Sequence, residues 1–202
     1  MDSMDFKPLS EKNRAKILEI IKSRLDEVDA TRLRQAMLSM DWLEGTEELV
    51  EPLMQLVTNG SPDVALAALE GLSRLKVKES EHPLARHIVT LFKNTEPERA
   101  ELRAECIRVL GKVGTSRSVD FLTELAINPA ATETDAEAAV EALVSLAENQ
   151  VTVVQEKLQA LRAKTKGRLR KAIDCALKEL SLSQWQEKGY LTIEAEFKPD
   201  SE

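Results

Sequence analysis

Side chains that commonly do chemistry are few in this sequence. The only histidines, His82 and His87, are five positions apart, so on a helix their side chains point about 140° away from each other. A metal ion shared by the two rings is therefore not expected, and both are interpreted as surface or half-buried residues. The chain shows no glycine-rich phosphate loop, no nucleophile elbow and no Cys–His spacing typical of a metal site. From these absences we predict a protein without catalytic residues, metal ligands or a cofactor.

The two cysteines, Cys106 and Cys175, have neither a CxxC motif nor the spacing of a disulfide framework. Both fall within helical patterns beside apolar residues, and both are predicted to be buried free thiols. Reduced cysteines and a charged N-terminal stretch favour a cytoplasmic protein. No apolar run approaches the roughly 18 residues of a membrane span, so a membrane partner is not expected.

One cluster of positive charge stands out at residues 162–171, where RAKTKGRLRK contains six basic residues and no acid. The whole chain has a formal net charge of −7, which disfavours binding to the phosphate backbone of nucleic acid. The cluster could receive an acidic segment of a partner or a phosphate group. It could also be a solvated turn whose cations favour the end of a helix. Its basic residues are Arg162, Lys164, Lys166, Arg168, Arg170 and Lys171.

The elements that position these residues are predicted to be helices, since Leu, Ala, Glu and Lys dominate the composition. Four segments align in columns, and the columns share one helical face because they are three or four positions apart. The columns are Leu72, Leu110, Leu143 and Leu177; Leu75, Val113, Leu146 and Leu180; and Ala68, Cys106, Ala139 and Ile173. Successive members of a column are 38, 33 and 34 residues apart. Each segment follows another amphipathic segment, so the repeating unit is helix, turn, helix.

Five such units are predicted to form one repeat domain between an N-terminal and a C-terminal tail. The units cover approximately residues 10–43, 46–76, 80–114, 116–150 and 151–183, and the tails are residues 1–9 and 184–202. Turn residues support these divisions. Gly60 suits the end of one helix, and Thr134 with Glu137 has the spacing of a capping box at the start of another.

The second helix of each unit resembles the second helix of HEAT repeats, including the short bacterial variety. The resemblance is carried by LRAECIRVLGKVG at residues 102–114 and LRKAIDCALKEL at residues 169–180. It implies an all-α protein, a right-handed α-solenoid of about five helical hairpins. One helical pair cannot bury its apolar face alone, so such pairs stack to form a continuous core.

Some positions depart from the HEAT pattern. The arginine of the family's second helix is present as Arg103 and Arg170 but is replaced by Ala65 and Ala136. A continuous ladder of Asp–Arg pairs along the stack is therefore not expected. A tetratricopeptide array has a similar period, but its first-helix Gly and Tyr and its second-helix aromatic residue are missing here.

The resemblance implies a non-catalytic scaffold or adaptor that binds another protein, because the stack leaves one long curved surface. In such stacks the second helices usually line the concave side, and their outward residues are the candidate contacts. These residues are Glu70, Arg74, Arg108, Lys112, Glu137, Glu141, Lys171 and Lys178. Two alternatives stay open: a bilin lyase-type enzyme or accessory, and a nucleic-acid-binding HEAT-like protein, which the acidic charge disfavours.

The C-terminal tail differs from the repeats, because YLTIEAEF at residues 190–197 alternates apolar and polar residues as a half-buried β-strand does. A lone strand leaves backbone groups unpaired on both edges. The tail is expected to cap the last repeat, to pair with a partner or a second copy by strand addition, or to be a flexible end. Strand addition would allow a homo-oligomer. The candidate contacts of the tail are Trp185, Tyr190, Leu191, Ile193 and Phe197.

Overall fold

The computed structural model describes residues 11–24, 29–38, 46–93 and 98–187. Its helices are α1 (Glu11–Arg24), α2 (Ala30–Met37), α3 (Val50–Asn59), α4 (Pro62–Leu75), α5 (Glu81–Phe92), α6 (Glu98–Val113), α7 (Ser116–Ala126), α8 (Glu133–Lys164) and α9 (Gly167–Glu187). Single-turn 3-10 helices at Glu47–Leu49 and Lys78–Ser80 lead into α3 and α5. The prediction of a helical protein is confirmed for the described ranges, whereas the strand predicted at residues 190–197 lies outside them.

Local sequence explains several helix ends. Ser61 is the N-cap of α4, and Pro62 occupies the first turn, where its missing N–H leaves no helical bond unmade. α4 ends at Lys76, whose left-handed backbone (φ 49°) stops the helix. α8 begins at a capping box of Thr132 and Asp135. The Asp135 N–H donates to Thr132 Oγ1 over 3.2 Å, and the Thr132 N–H donates to Asp135 Oδ2 over 2.8 Å.

The capping box predicted at Thr134 and Glu137 is therefore wrong by two residues. The correct pair, Thr132 and Asp135, has the same spacing in the sequence and is selected by a contact from another helix. Arg103 in α6 donates from Nε to Asp135 Oδ1 over 2.9 Å and from Nη2 to Asp135 Oδ2 over 2.6 Å. This bidentate pair fixes Asp135 in the first turn of α8.

The Arg103–Asp135 pair is buried, with the two side chains 7% and 0% exposed. The guanidinium also lies over the ring of Phe92, 4.6 Å from its centroid. Burial alone would raise the pKa of Asp135, but hydrogen bonds from Arg103 and Thr132 outweigh burial and lower it. The carboxylate is therefore ionised at neutral pH, and the pair joins two consecutive units by charge.

The Asp–Arg pairs do not form a continuous ladder along the described helices, as the sequence predicted. Ala65, at the position of Arg103 in α4, is fully buried, and Ala136 in α8 is also buried. Arg170, the equivalent residue of α9, is exposed. Arg103–Asp135 is thus a single buried rung among these four equivalent positions.

α8 contains a kink at Gln150, where the backbone leaves the helical region (φ −150°, ψ 39°). The kink divides α8 into residues 133–149 and residues 151–164. Residues 151–154 are all β-branched, which lowers helix propensity directly after the kink. The first part of α8 packs against α6, and the second part leads into α9, so the two parts belong to two neighbouring pairs.

The second helices of the pairs form a continuous layer. α2 packs on α4, α4 on α6, α6 on α8, and α8 on α9. α6 and α8 approach closely at Gly111, where an added Cβ would lie 2.4 Å from Ala142 Cα. The first helices α3 and α5, by contrast, make few contacts with each other. The apolar columns lie inside this arrangement, and their buried members belong to one core cluster.

Candidate protein-binding surface

The outward positions of α4, α6, the first part of α8 and α9 form a surface that we call the second-helix surface. In the repeat alignment, one residue from each of these four helices falls in the same column. Successive members of this column are 38, 33 and 34 residues apart, as in the leucine columns. This column is Glu70, Arg108, Glu141 and Cys175. The alternation of a carboxylate, a guanidinium and a carboxylate gives the surface mixed charge.

Arg108 connects two helices of this surface. Its Nε donates to Glu141 Oε2 over 2.7 Å, and its Nη1 donates to Glu105 Oε2 over 3.2 Å. Burial alone would lower the pKa of Arg108, but these two carboxylates raise it. Arg108, predicted as a partner contact, therefore has two acidic partners within the chain, and its charge is largely compensated.

Two adjoining grooves follow the second-helix surface around Lys112. The smaller, of about 310 Å³, includes Glu70, Arg108 and Lys112, and the larger, of about 580 Å³, includes Glu70, Arg74 and Lys112. Arg74 is held by Glu70 one turn before it, with Nη2 3.0 Å from Oε1. Lys112 is exposed and forms no ion pair with the described residues. Among the positively charged contacts that were predicted from the sequence and that line these two grooves, Lys112 is therefore the best placed to meet a partner.

A third groove, of about 500 Å³, lies between α8 and α9 and is lined in part by Glu137, Glu141, Cys175 and Glu179. Cys175 is exposed, so the prediction of two buried thiols is wrong for this residue. It stands in the outward column, whereas Cys106 stands in a core column and is fully buried. Burial, and to a lesser extent the charge of Glu105, raises the pKa of the Cys106 thiol well above its usual range.

The predicted contacts Lys171 and Lys178 are exposed on α9 but do not line these three grooves. The basic cluster at residues 162–171 is only partly neutralised. Arg162 pairs with Asp174, and Arg168 Nε lies 2.6 Å from Glu137 Oε1. The remaining basic residues are exposed and form no ion pair within the described part of the chain: Lys164, Lys166, Arg170 and Lys171.

The candidate contacts of the tail are largely beyond the described ranges. Trp185 belongs to the helix α9, which continues to Glu187, and not to an extended tail. Tyr190, Leu191, Ile193 and Phe197 lie outside the described residues.

Both histidines line a groove on the opposite side of the helical pairs, between α3 and α5, which we call the α3–α5 groove. His82 is exposed, and its Nε2 lies 2.8 Å from Arg86 Nη2. His87 is only 9% exposed, so the interpretation of a surface or half-buried residue is wrong for it. The described residues contain no group of three His, Cys, Asp or Glu side chains that could hold a metal ion.

Comparison with protein families identifies this arrangement. The family model of HEAT repeats matches residues 50–144. Residues 50–144 are HEAT repeats. The resemblance expected from the second-helix motifs is therefore confirmed over this stretch, and no curated protein matches the chain.

The matched HEAT repeats contain the Arg103–Asp135 pair, most of the second-helix surface and the α3–α5 groove. HEAT repeats generally mediate protein–protein interaction. Within the described ranges, no helix combines the length and apolar character needed to cross a lipid bilayer.

Proposed function

We propose that this protein is a non-catalytic scaffold or adaptor, located in the cytoplasm, that binds another protein through its second-helix surface. The observation that carries the proposal is the unbroken layer from α2 to α9, along which three grooves expose charges of both signs. The proposal includes a right-handed solenoid of about five pairs over residues 10–183, extending the matched HEAT repeats in both directions. A layer of this kind offers a long, rigid surface without large rearrangement.

The charge pattern supports a protein partner. Lys112 and the four cations of the basic cluster lack ion-pair partners among the described residues, whereas Glu105 and Glu141 already hold Arg108. A partner with an acidic segment therefore gains attraction at Lys112 and at residues 162–171. Binding to nucleic acid is disfavoured because the chain has a formal net charge of −7, which repels a phosphate backbone.

A second candidate, a bilin lyase-type enzyme or accessory, is favoured by one observation, the exposed thiol of Cys175 in the α8–α9 groove. The other charged residues of that groove are Glu137, Glu141 and Glu179. None of the described residues that line this groove is a lysine or arginine that could pair with the propionate groups of a bilin. The groove therefore supports this candidate less well than it supports protein binding.

The C-terminal tail is proposed as an auxiliary interaction element. It either caps the last repeat or adds a strand to a partner or to a second copy of the chain, which would produce a homo-oligomer. Four cations of the basic cluster, Lys164, Lys166, Arg170 and Lys171, form no ion pair among the described residues and are available to the acidic end of the tail or to a partner. A truncation after Gln186 separates the two roles, because it removes the tail and keeps most of α9.

Affinity capture from the native cell, read by quantitative mass spectrometry, tests the proposal. We expect a partner that the full chain captures to be reduced at least about tenfold by Lys112→Glu, since this substitution reverses an exposed charge of the second-helix surface. Lys166→Glu, measured separately, reports on the basic cluster. The matched control is Lys93→Glu, which makes the same change at the exposed end of α5. Equal capture by Lys112→Glu and by the control would refute binding through the second-helix surface. The truncation after Gln186 shows whether the tail contributes.

A further inference from the structure

The α3–α5 groove has the dimensions of a peptide-binding site. Its volume is about 620 Å³, and its lining is more apolar than polar. The lining residues of α3 extend from Val50 to Asn59, which corresponds to about 14 Å along the helix. The groove remains open because α3 and α5 make few contacts with each other. Its apolar surface includes Met54 and Pro83, which face it from the two helices. An elongated, open groove suits a chain segment better than a compact small molecule.

His87 forms part of the wall of this groove, and one of its ring nitrogens lacks a hydrogen-bond partner among the described residues. The side chain is 9% exposed, and its Nε2 has no hydrogen-bond partner among the described residues. Burial, together with the positive charge of Arg99, lowers the pKa of His87, so the ring is neutral at pH 7. A buried nitrogen without a partner is unfavourable, and a group that supplies the bond recovers that free energy.

The chemistry of a neutral imidazole limits which group can supply this bond. Nε2 of His87 either donates or accepts a hydrogen bond, depending on the tautomer, and a hydroxyl group can satisfy both cases. Because Nε2 is closed off from solvent, the ring must turn about its Cβ–Cγ bond to meet a group in the groove. This torsion has a broad, roughly two-fold energy profile, so the turned orientation carries little intrinsic torsional cost.

The rim of the groove is acidic. Glu47, Glu51 and Glu79 line it, are exposed and form no ion pair with the described residues. The guanidinium of Arg86, which also lines the groove, is hydrogen-bonded to His82. A segment that enters the groove therefore gains attraction if it carries positive charge.

We infer that the α3–α5 groove binds a segment of a partner protein in which a tyrosine is flanked by lysine or arginine residues. The tyrosine ring covers the apolar surface at Met54 and Pro83, its hydroxyl pairs with His87 Nε2, and the flanking cations face Glu51 and Glu79. A purely aliphatic anchor leaves the His87 nitrogen without a partner, and an acidic segment is repelled by the rim. This site is separate from the second-helix surface and is an addition to the proposed function.

A titration of the full-length protein with short peptides, followed by NMR, tests the inference. The probes are the acetylated and amidated peptides GKRYRKG, GKRFRKG and GEEYEEG. The readouts are the ring resonances of His87 and the methyl resonance of Met54, assigned with His87→Gln and Met54→Leu. We expect saturable shifts with GKRYRKG, an affinity about 2- to 10-fold lower for GKRFRKG because it lacks one hydrogen bond, and no saturable shift with GEEYEEG.

Matched charge reversals locate the binding site. Glu51→Lys, on the rim of the groove, is expected to weaken the binding of GKRYRKG at least threefold. Glu101→Lys makes the same change at an exposed residue beside the second-helix surface and is expected to have little effect. Equal losses for the two variants would overturn the assignment to the α3–α5 groove. Equal affinities of GKRYRKG and GKRFRKG would overturn the assignment of the tyrosine.

The chain contains one tyrosine of its own, Tyr190 in the C-terminal tail. A further variant of the full chain, Tyr190→Phe, therefore distinguishes an internal occupant from a partner. The inference predicts that this variant leaves the His87 ring resonances unchanged in the absence of peptide. A clear shift of those resonances would show that the tail of this chain, or of a second copy, fills the groove, and the assignment to a partner protein would be wrong.

Discussion

The ion pair between Arg103 and Asp135 is a buried residue-level contact that joins two HEAT repeats. Removal of one partner leaves a buried charge without compensation. Asp135→Ala is therefore expected to lower the free energy of unfolding by about 3–5 kcal/mol. Urea denaturation followed by far-UV circular dichroism measures this change.

Part of the loss in Asp135→Ala comes from the capping box of α8, and two variants separate the contributions. Thr132→Ala removes the cap hydroxyl and is expected to cost about 0.5–2 kcal/mol. Arg103→Met is expected to cost much less in the Asp135→Ala background than alone, because the carboxylate that the arginine compensates is already absent. Additive losses for Arg103→Met and Asp135→Ala would show that the ion pair does not couple the two helices.

The degree of burial was predicted wrongly for two residues, Cys175 and His87. Apolar residues such as Ile173 and Ala176 lie close to Cys175 in the chain, and this local pattern suggested burial. The repeat alignment, however, places Cys175 in the outward column of Glu70, Arg108 and Glu141. That signal was available in the sequence. The burial of His87 also had a signal in the sequence, because His87 lies three residues after Leu84 and four before Leu91, on the apolar face of α5.

Among the helices, the contact between α6 and α8 sets how closely two repeats approach. A Cβ at Gly111 would lie 2.4 Å from Ala142 Cα and 2.7 Å from Ala142 O, and these backbone atoms cannot move without the helix. Gly111→Ala is expected to destabilise the protein by about 1–3 kcal/mol, measured by urea denaturation. The gain in helix propensity from glycine to alanine, about 1 kcal/mol, only partly offsets this cost.

Gly71→Ala is the matched control in α4. Its added Cβ would approach Met37 Sδ at 2.2 Å, but this atom is near the end of a flexible side chain that can adopt another rotamer. The expected change in unfolding free energy is therefore clearly smaller than for Gly111→Ala. A larger loss for Gly71→Ala than for Gly111→Ala would contradict the view that backbone contact between α6 and α8 is the tighter constraint.

Helix positions could be predicted better than helix starts. The period of the apolar columns is a local property, and it predicted helices where the structure has α4, α6 and α9. The start of α8 was missed because two threonines offered capping-box spacing, and Arg103, 32 residues before Asp135, decides between them. The kink at Gln150 has only a weak signal in the β-branched residues that follow it.

For the whole molecule, the repeat predicted a stacked layer of second helices because helical pairs of this length bury their apolar faces only against one another. It also predicted that the outward residues of that layer would share one surface. The three grooves of the second-helix surface contain six of them: Glu70, Arg74, Arg108, Lys112, Glu137 and Glu141. The sequence did not indicate that carboxylates of the chain itself compensate Arg108. The α3–α5 groove was not foreseen either, because a space between helices depends on how they are placed and not on a motif.

Site-specific photocrosslinking in the native cell tests most directly whether the second-helix surface meets a partner. A photoreactive amino acid is placed at Lys112, which is exposed between two grooves of that surface, or at Glu124, which is exposed on α7. Binding through the second-helix surface predicts a discrete crosslinked partner from position 112 and little or none from position 124. A partner crosslinked from position 124 but not from position 112 would contradict the proposed function.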